Sequence, residues 1–399
     1  MLKSVRFVNW KSFRDATLHI DPLTVLIGAN ASGKSNAIEG LQFLSRLAQG
    51  TPVETALAGN DKLTGLRGGT DWAGFRGAEQ IEFEVLLSKY TTAEDLLQKH
   101  VIRTKPLVTL IQSAVTKPSG EVIIPDVPIF RDAITEYDSQ SMRLQNRNPK
   151  SSILNSPVFE YVVPLRQLFV LEPDPSQMRL QSSKADLLVS DGRNVAGVIA
   201  ALPAEEQKAV LDQLSSLLSQ LPEFQVKRVF IESYGLHKND AMLCCDEPWG
   251  YPIDARCMSD GTLRFVAILT AILTLPKGSL LVIEDVDTGI HPSRAGLILE
   301  VLRTEGKRRG VDVLVTTHNV AFLDALPPEM APFVTVAYRD GETGETHLKP
   351  LDELGAYGRI LAAGSIGRAV ARGVVEQAVR AEPPAKGGSA RPPIEGADR

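Results

Sequence analysis

Residues 28–35 read GANASGKS: a glycine, four residues, then glycine-lysine-serine. Those residue types at that spacing suit the holding of a polyphosphate. Gly28 and Gly33 let the backbone curl until successive N–H groups point at phosphate oxygens. Asn30 and Ser32 lie within the loop. Lys34 would reach the β- and γ-phosphates, and the Ser35 hydroxyl would coordinate Mg²⁺. Such a loop has to join a strand to a helix. Residues 23–27 (LTVLI) carry a short apolar strand pattern before it. After it, Ile38, Leu41, Leu44 and Leu47 recur at helical spacing. The helix start near Lys34 adds the positive end of its dipole.

A second constellation lies far along the chain. Residues 279–283 (SLLVI) are a strand pattern that ends in two carboxylates, Glu284 and Asp285. By position, Glu284 takes the role of holding Mg²⁺ through water and Asp285 that of polarising an attacking water. The plain alternative is a pair of strand-end acids facing solvent. Aspartate is one methylene shorter than glutamate, so Asp285 is expected to hold the water poorly and hydrolysis to be slow. Upstream, residues 258–264 (MSDGTLR) open a helix, with Ser259 or Asp260 able to cap it. A serine hydroxyl, the Gly261 backbone and a helix start again make an anion site. Residues 311–317 (VDVLVTT) form a buried strand pattern that ends at His318.

These groups need a large scaffold, and 399 residues supply one. The apolar and charged fractions are those of a globular chain. No apolar run reaches the ~18 residues needed to span a bilayer. The first residues lack the apolar stretch of a signal peptide, so a cytoplasmic location without membrane partners is expected. A net charge of −5 excludes a uniformly basic nucleic-acid binder while leaving room for a local patch. Lys3, Arg6, Lys11 and Arg14 are one such edge, read more simply as a solvated face. Cys244, Cys245 and Cys257 lack zinc or disulfide spacing and are expected to be buried, reduced thiols.

The run FVNWKSFRDATLHIDPLTVLIGANASGKSN resembles the opening of the RecF-, SMC- and OLD-like ATPases, a branch of the ABC ATPases that acts mostly on DNA. Asn30 and Asn36 match the asparagines usual in and after that loop. The resemblance implies a function for the other motifs. Ser259-Asp260-Gly261 would stand where transporters carry S-G-G-Q and would meet the γ-phosphate bound by a partner subunit. His318 would be the switch histidine that contacts the γ-phosphate. His291 resembles the "H-P" of this branch, with a structural role and an interface role both open. Residues 178–200 resemble a segment of one RecF-like subfamily, through Arg179, Leu188, Asp191, Gly192 and Asn194; no chemistry follows from it. A glutamine loop is not placed; Gln80 and Gln112 are weak candidates.

The expected fold is α/β, a P-loop NTPase of the ABC-type ATPase head. It has a largely parallel central sheet flanked by helices, an antiparallel β lobe and an inserted helical region. The expected division is 1–89 for the first ATPase half with the phosphate loop and β lobe, 90–230 for a mostly helical insertion, 231–381 for the second half, and 382–399 for a disordered tail. Helices are expected at 92–101, 104–114, 205–221, 263–275, 293–303 and 366–381, and a polar loop at 138–152. The expected function is an ATP- and Mg²⁺-dependent homodimer switch in DNA repair or phage and plasmid defence. DNA is a candidate partner. Only about 80 residues follow His318, without an acidic cluster, so a nuclease or other effector is expected on a separate polypeptide. A transporter nucleotide-binding subunit is the alternative, opposed by the more than 220 residues between Ser35 and Ser259. A non-hydrolysing ATP-binding scaffold is a third reading.

Overall fold

The computed structural model describes residues 1–61, 63–88, 95–124, 163–220, 226–248, 250–289 and 291–381. The expected polar loop at 138–152 and the tail at 382–399 lie outside them.

Two sheets and the helix between them set the site. The first is antiparallel, in the order β2-β1-β4-β5-β6-β7. Its strands are β1 (Leu2–Trp10), β2 (Phe13–His19), β4 (Gln80–Ser88), β5 (Asp95–Arg103), β6 (Thr109–Thr116) and β7 (Val122–Ile124). The second follows the order β16-β15-β3-β14-β13-β8. Its strands are β3 (Leu23–Ile27), β8 (Leu168–Leu171), β13 (Leu280–Ile283), β14 (Asp312–Thr317), β15 (Val334–Arg339) and β16 (Thr346–Pro350). All neighbours in it are parallel except β15 and β16. The central strands β3, β13 and β14 are buried along their whole length, as suits largely apolar strands in a sheet covered on both faces.

Alternate residues of those strands feed two cores. Leu281, Ile283, Val313 and Val315 face one of them. It is completed by α4 (Val195–Ala201), α5 (Ala204–Leu218), α6 (Asp260–Thr274) and α7 (Ala295–Arg309). Leu280, Val282 and Leu314 face the other, with α1 (Lys34–Ala48), α2 (Val53–Ala58) and the antiparallel lobe. A short helix α3 (Pro175–Met178) follows β8. A small sheet of β9 (Ser182–Ser183), β10 (Arg228–Tyr234), β11 (Asp240–Asp246) and β12 (Pro252–Asp254) stands beside α4 and α5. Helices α8 (Val320–Asp324), α9 (Tyr357–Ala362), α10 (Ile366–Ala371) and α11 (Val374–Arg380) complete the described chain.

An aromatic cluster clamps the lobe onto α1. Trp10 stacks on Phe43 with centroids 5.6 Å apart and tilts against Phe83 at 5.2 Å. The Trp10 indole N–H donates to the Asn36 carbonyl at 2.7 Å, in the first turn of α1. Gly40 makes the close approach feasible, since a Cβ there would meet Phe7 at 2.5 Å.

The expected helices at 92–101 and 104–114 are strands β5 and β6 instead. Leu96, Gln98, His100 and Ile102 alternate into the interior, and Lys99 pairs with Glu82 and Glu84 across β4. Cross-strand pairing decides these segments. The antiparallel lobe thus runs past residue 89. Among its described residues the region 90–230 is not mostly helical throughout: it contributes β5 to β7 to the lobe and β8 to the central sheet, and its helices are a short one at 163–166, α3, α4 and α5. The expected helix at 366–381 is two helices, broken at Gly373 with φ 67°. That at 293–303 is a 3₁₀ turn followed by α7, which runs on to a left-handed Gly310 with φ 66°.

The basic edge is neutralised residue by residue. Lys3 pairs with Asp95, Arg6 with Asp15 and Glu84, Lys11 with Glu39, and Arg14 with Glu345. Cys244 and Cys245 are buried, and burial pushes their thiols up to about 11 and 12. Cys257 is exposed, against expectation, because it lies past the end of β12. No helix among the described residues is long and apolar enough to cross a membrane.

Candidate nucleotide site

The loop between β3 and α1 is built to approach a ligand by its backbone. Gly28 has φ 152° and Gly33 φ 105°; a Cβ would meet the Ala337 carbonyl oxygen at 2.2 Å in the first case and Thr346 at 2.6 Å in the second. The Lys34 ammonium folds back on its own loop, donating to the carbonyls of Gly28 at 2.7 Å and Ala29 at 3.1 Å. Burial lowers the Lys34 pKa, while Asp285 and Glu284 oppose that shift. The Ser32 hydroxyl is buried without a hydrogen-bond partner. A buried hydroxyl in that condition, beside a glycine cradle and an ammonium, fits a phosphate group.

The strand order brings the acids to this loop. The Ser35 hydroxyl donates to Glu284, which follows β13. Asp285 sits in the left-handed region with φ 46°, fixed by its N–H donating to the Thr316 hydroxyl at 2.8 Å. A non-glycine residue held there costs free energy, and such strain gathers at functional sites. His318, at the end of β14, places Nδ1 3.7 Å from Asp285 Oδ1. Nearby, the Thr317 hydroxyl donates to Asp287, which ties the loop after Asp285 to the same strand end. Asn36 donates to the Ser12 hydroxyl at 2.7 Å and Asn30 is exposed at the rim. A cavity of about 490 Å³ opens over Ser32 to Asn36, Glu284 and Asp285, with Arg67 and Arg339 on its walls. A second cavity of about 740 Å³ shares Ser12, Asn36, Arg67 and Arg339 with it and continues to Trp72, Phe75 and Lys105.

Two residues missed in the sequence join this group. Glu172 directly follows β8, and the parallel register pairs Leu171 with Ile283, which sets Glu172 beside Glu284. Burial raises the Glu172 pKa and the Glu284 charge adds to it. Arg67 lies 3.7 Å from Glu284 and 3.4 Å from Glu39. Neither carries a local motif. An apolar strand ending in an acid, LFVLE, was the one available signal for Glu172. Gln80 and Gln112 line neither cavity. Among the described residues no group of three or more His, Cys, Asp and Glu forms a metal cage. The oxygen donors of Ser35, Glu284 and Glu172 suit a hard cation that completes its shell with phosphate oxygens and water.

The signature residues stand apart. Ser259 caps α6, its hydroxyl accepting from the Thr262 N–H at 3.2 Å. Asp260 pairs with Arg179 at 2.6 Å. A Cβ on Gly261 would meet the Gly289 carbonyl oxygen at 2.4 Å, so the loop after Asp285 packs on this helix start. Ser259, Asp260 and Gly261 do not line the cavity over the phosphate loop. His291 caps the following turn, accepting from the Ser293 N–H at 3.3 Å.

The fold is similar to two SMC structures. One is the SmcHead bound to the C-winged helix domain of ScpA: 12% identity, 87% of this chain, 97% of that chain and a TM-score of 0.56. The other is the Smc head domain with an extended coiled coil bound to the C-terminal domain of ScpA, from Pyrococcus furiosus: 9% identity, 90% of this chain, 98% of that chain and a TM-score of 0.51. Likeness at these identities is a likeness of fold, the ABC-type ATPase head. Comparison with curated proteins gives no significant match. Residues 23–93 and 163–324, more than half of the chain, match the family described as "AAA domain, putative AbiEii toxin, Type IV TA system". The chain belongs to this family of P-loop ATPases.

Proposed function

We propose that the protein binds and hydrolyses ATP with Mg²⁺ between two copies of itself, as a nucleotide-gated dimer switch of the RecF- and OLD-like kind. One observation carries the reading. The phosphate loop and the acids Glu284 and Asp285 converge on one cavity, with His318 3.7 Å from Asp285, whereas Ser259 and Gly261 form an anion-ready helix start outside it. A symmetric dimer brings each signature to the other's cavity.

The Gly33 and Ser32 backbone and hydroxyl cradle the phosphates, and Lys34 leaves its loop carbonyls to pair with them. Ser35 and Glu284 hold Mg²⁺, with Glu172 as a further oxygen donor. The cation supplies charge neutralisation on the phosphate oxygens. Asp285 accepts a proton from the attacking water, and His318 next to it orients that water and senses the terminal phosphate. The base and ribose extend toward Trp72 in the adjoining cavity. Closure on ATP and opening after hydrolysis then form the two states of the switch.

The family's description as a toxin of a type IV toxin–antitoxin system supports a defence setting over a repair one. DNA or a separately encoded effector is the partner on which closure acts. The test is ATP turnover per subunit across protein concentrations, with Lys34→Ala as blank. A rate that climbs with concentration supports the composite site. Turnover of tens per second would contradict the slow hydrolysis expected of Asp285. Tight ATP binding with no turnover at any concentration would make the protein a scaffold.

A further inference from the structure

The segment from Glu172 to Asn194 is tied to itself more densely than its function so far requires. The N–H groups of Glu172 and Asp174 donate to the carbonyls of Ser190 at 2.8 Å and Asp191 at 2.9 Å. The Asp174 carboxylate accepts from the Ser176 N–H at 2.9 Å at the start of α3. Gly192, with φ 71°, packs where a Cβ would lie 3.3 Å from the Met178 sulfur and 3.4 Å from Ala267 of α6. The Asn194 side chain closes the loop by donating to the Leu187 carbonyl at 2.7 Å and accepting from the Val189 N–H at 3.0 Å. These bonds fix the residue that ends α3, Arg179, against the signature. Its Nη2 donates to the Met258 carbonyl at 3.0 Å and to Asp260 Oδ1 at 2.6 Å.

We propose that Arg179 is a positioning residue for the signature: it cancels the charge of Asp260 and so lets the start of α6 accept an anionic phosphate carried by a second copy of this chain. The inference rests on the dimer reading above. Asp260 stands between Ser259 and Gly261, and its side chain is 65% exposed. A bare carboxylate there repels a polyphosphate, and the repulsion grows as closure excludes water and counter-ions. Arginine presents its N–H donors on a rigid planar fork, and here the one nitrogen Nη2 serves both oxygens, so it neutralises Asp260 and anchors Met258 together. The tied loop holds that fork in place before any partner arrives, which lowers the ordering cost of association.

The experiment uses the full chain carrying Asp285→Asn to slow turnover, with ATP and Mg²⁺. Sedimentation gives the dimer dissociation constant, and a fluorescent ATP analogue at a concentration too low for pairing gives nucleotide affinity. Arg179→Ala is expected to weaken the ATP-dependent dimer at least ~10-fold without a matching loss of nucleotide affinity. Adding Asp260→Asn to Arg179→Ala is expected to restore the dimer to within about threefold, because the charge that needed cancelling has gone. A merely structural brace would not be rescued in that way. Arg179→Gln removes the charge while keeping a polar side chain, and reads the same question, with the same expected loss and rescue, if the alanine variant folds poorly. An Arg179→Ala dimer as tight as the parent, or no rescue by Asp260→Asn, would overturn the proposal. A parent that stays monomeric at saturating ATP would instead remove the dimer reading, and this proposal with it.

Discussion

The phosphate loop and the proposed signature at Ser259 are prepared in opposite ways. At the phosphate loop the polar groups await a ligand. Ser32 has no hydrogen-bond partner, Lys34 is turned onto its own loop, and Glu284 and Glu172 crowd one another. At the signature the polar groups are already satisfied: Ser259 caps α6 and Asp260 is paired with Arg179. A group left unsatisfied in a buried site costs free energy that a ligand recovers, whereas a satisfied one is a finished docking surface. The difference agrees with the proposed roles, the first end as the binder and the second as a surface offered to a ligand held elsewhere.

The largest expected effect is on chemistry at the binding end. Asp285→Asn should lower turnover by about 10²–10⁴ while nucleotide affinity holds, read by phosphate release and by fluorescent-nucleotide titration. An unchanged rate would move the base elsewhere. Next in size, Lys34→Ala should weaken ATP binding by about a hundredfold, the loss of roughly 3 kcal/mol of charge-assisted hydrogen bonding, measured by calorimetry. A matching loss from a substitution at Ser259 in dilute monomer would erase the contrast between the ends. Glu172→Gln should raise the Mg²⁺ concentration for half-maximal turnover by about tenfold and leave metal-free nucleotide binding in place. No change would return Glu172 to a packing role.

The smallest effect separates the cores beneath the two ends. His100 is buried in the lobe that packs on α1, with its ring beside the Ser113 hydroxyl at 3.0 Å. Burial pushes its pKa down from 6.5 to about 4. The unfolded chain therefore binds the proton more readily between those values, so stability is full above 6.5 and falls as the pH drops toward 4. At pH 5.5 the loss should be about 1 kcal/mol, seen as a lower denaturant midpoint, and His100→Leu should flatten that slope. Hydrogen exchange should report the loss in β5 and β6 before α6.

The contrast between the ends also governs what the sequence reveals. The strand LTVLI, the loop and α1 are contiguous, so local pattern and backbone chemistry fix them together. The Ser259 cap is legible for the same reason. Glu172 is not, because its place comes from β8 lying beside β13, more than a hundred residues later. Arg67 reaches Glu284 from a glycine-rich stretch with no periodicity. The β5 and β6 segments misled because pairing makes them strands, β5 with β4 and β6 with β5, and local sequence does not show those partners.

The composite site is tested most directly by mixing two inactive chains, Lys34→Ala and Ser259→Glu. If each cavity needs the partner's signature, mixed dimers contain one intact site, and equal mixing should recover about one-quarter of the parent turnover per subunit. Turnover that stays at the sum of the two separate chains, with mixed dimers shown to form, would contradict a site shared between copies.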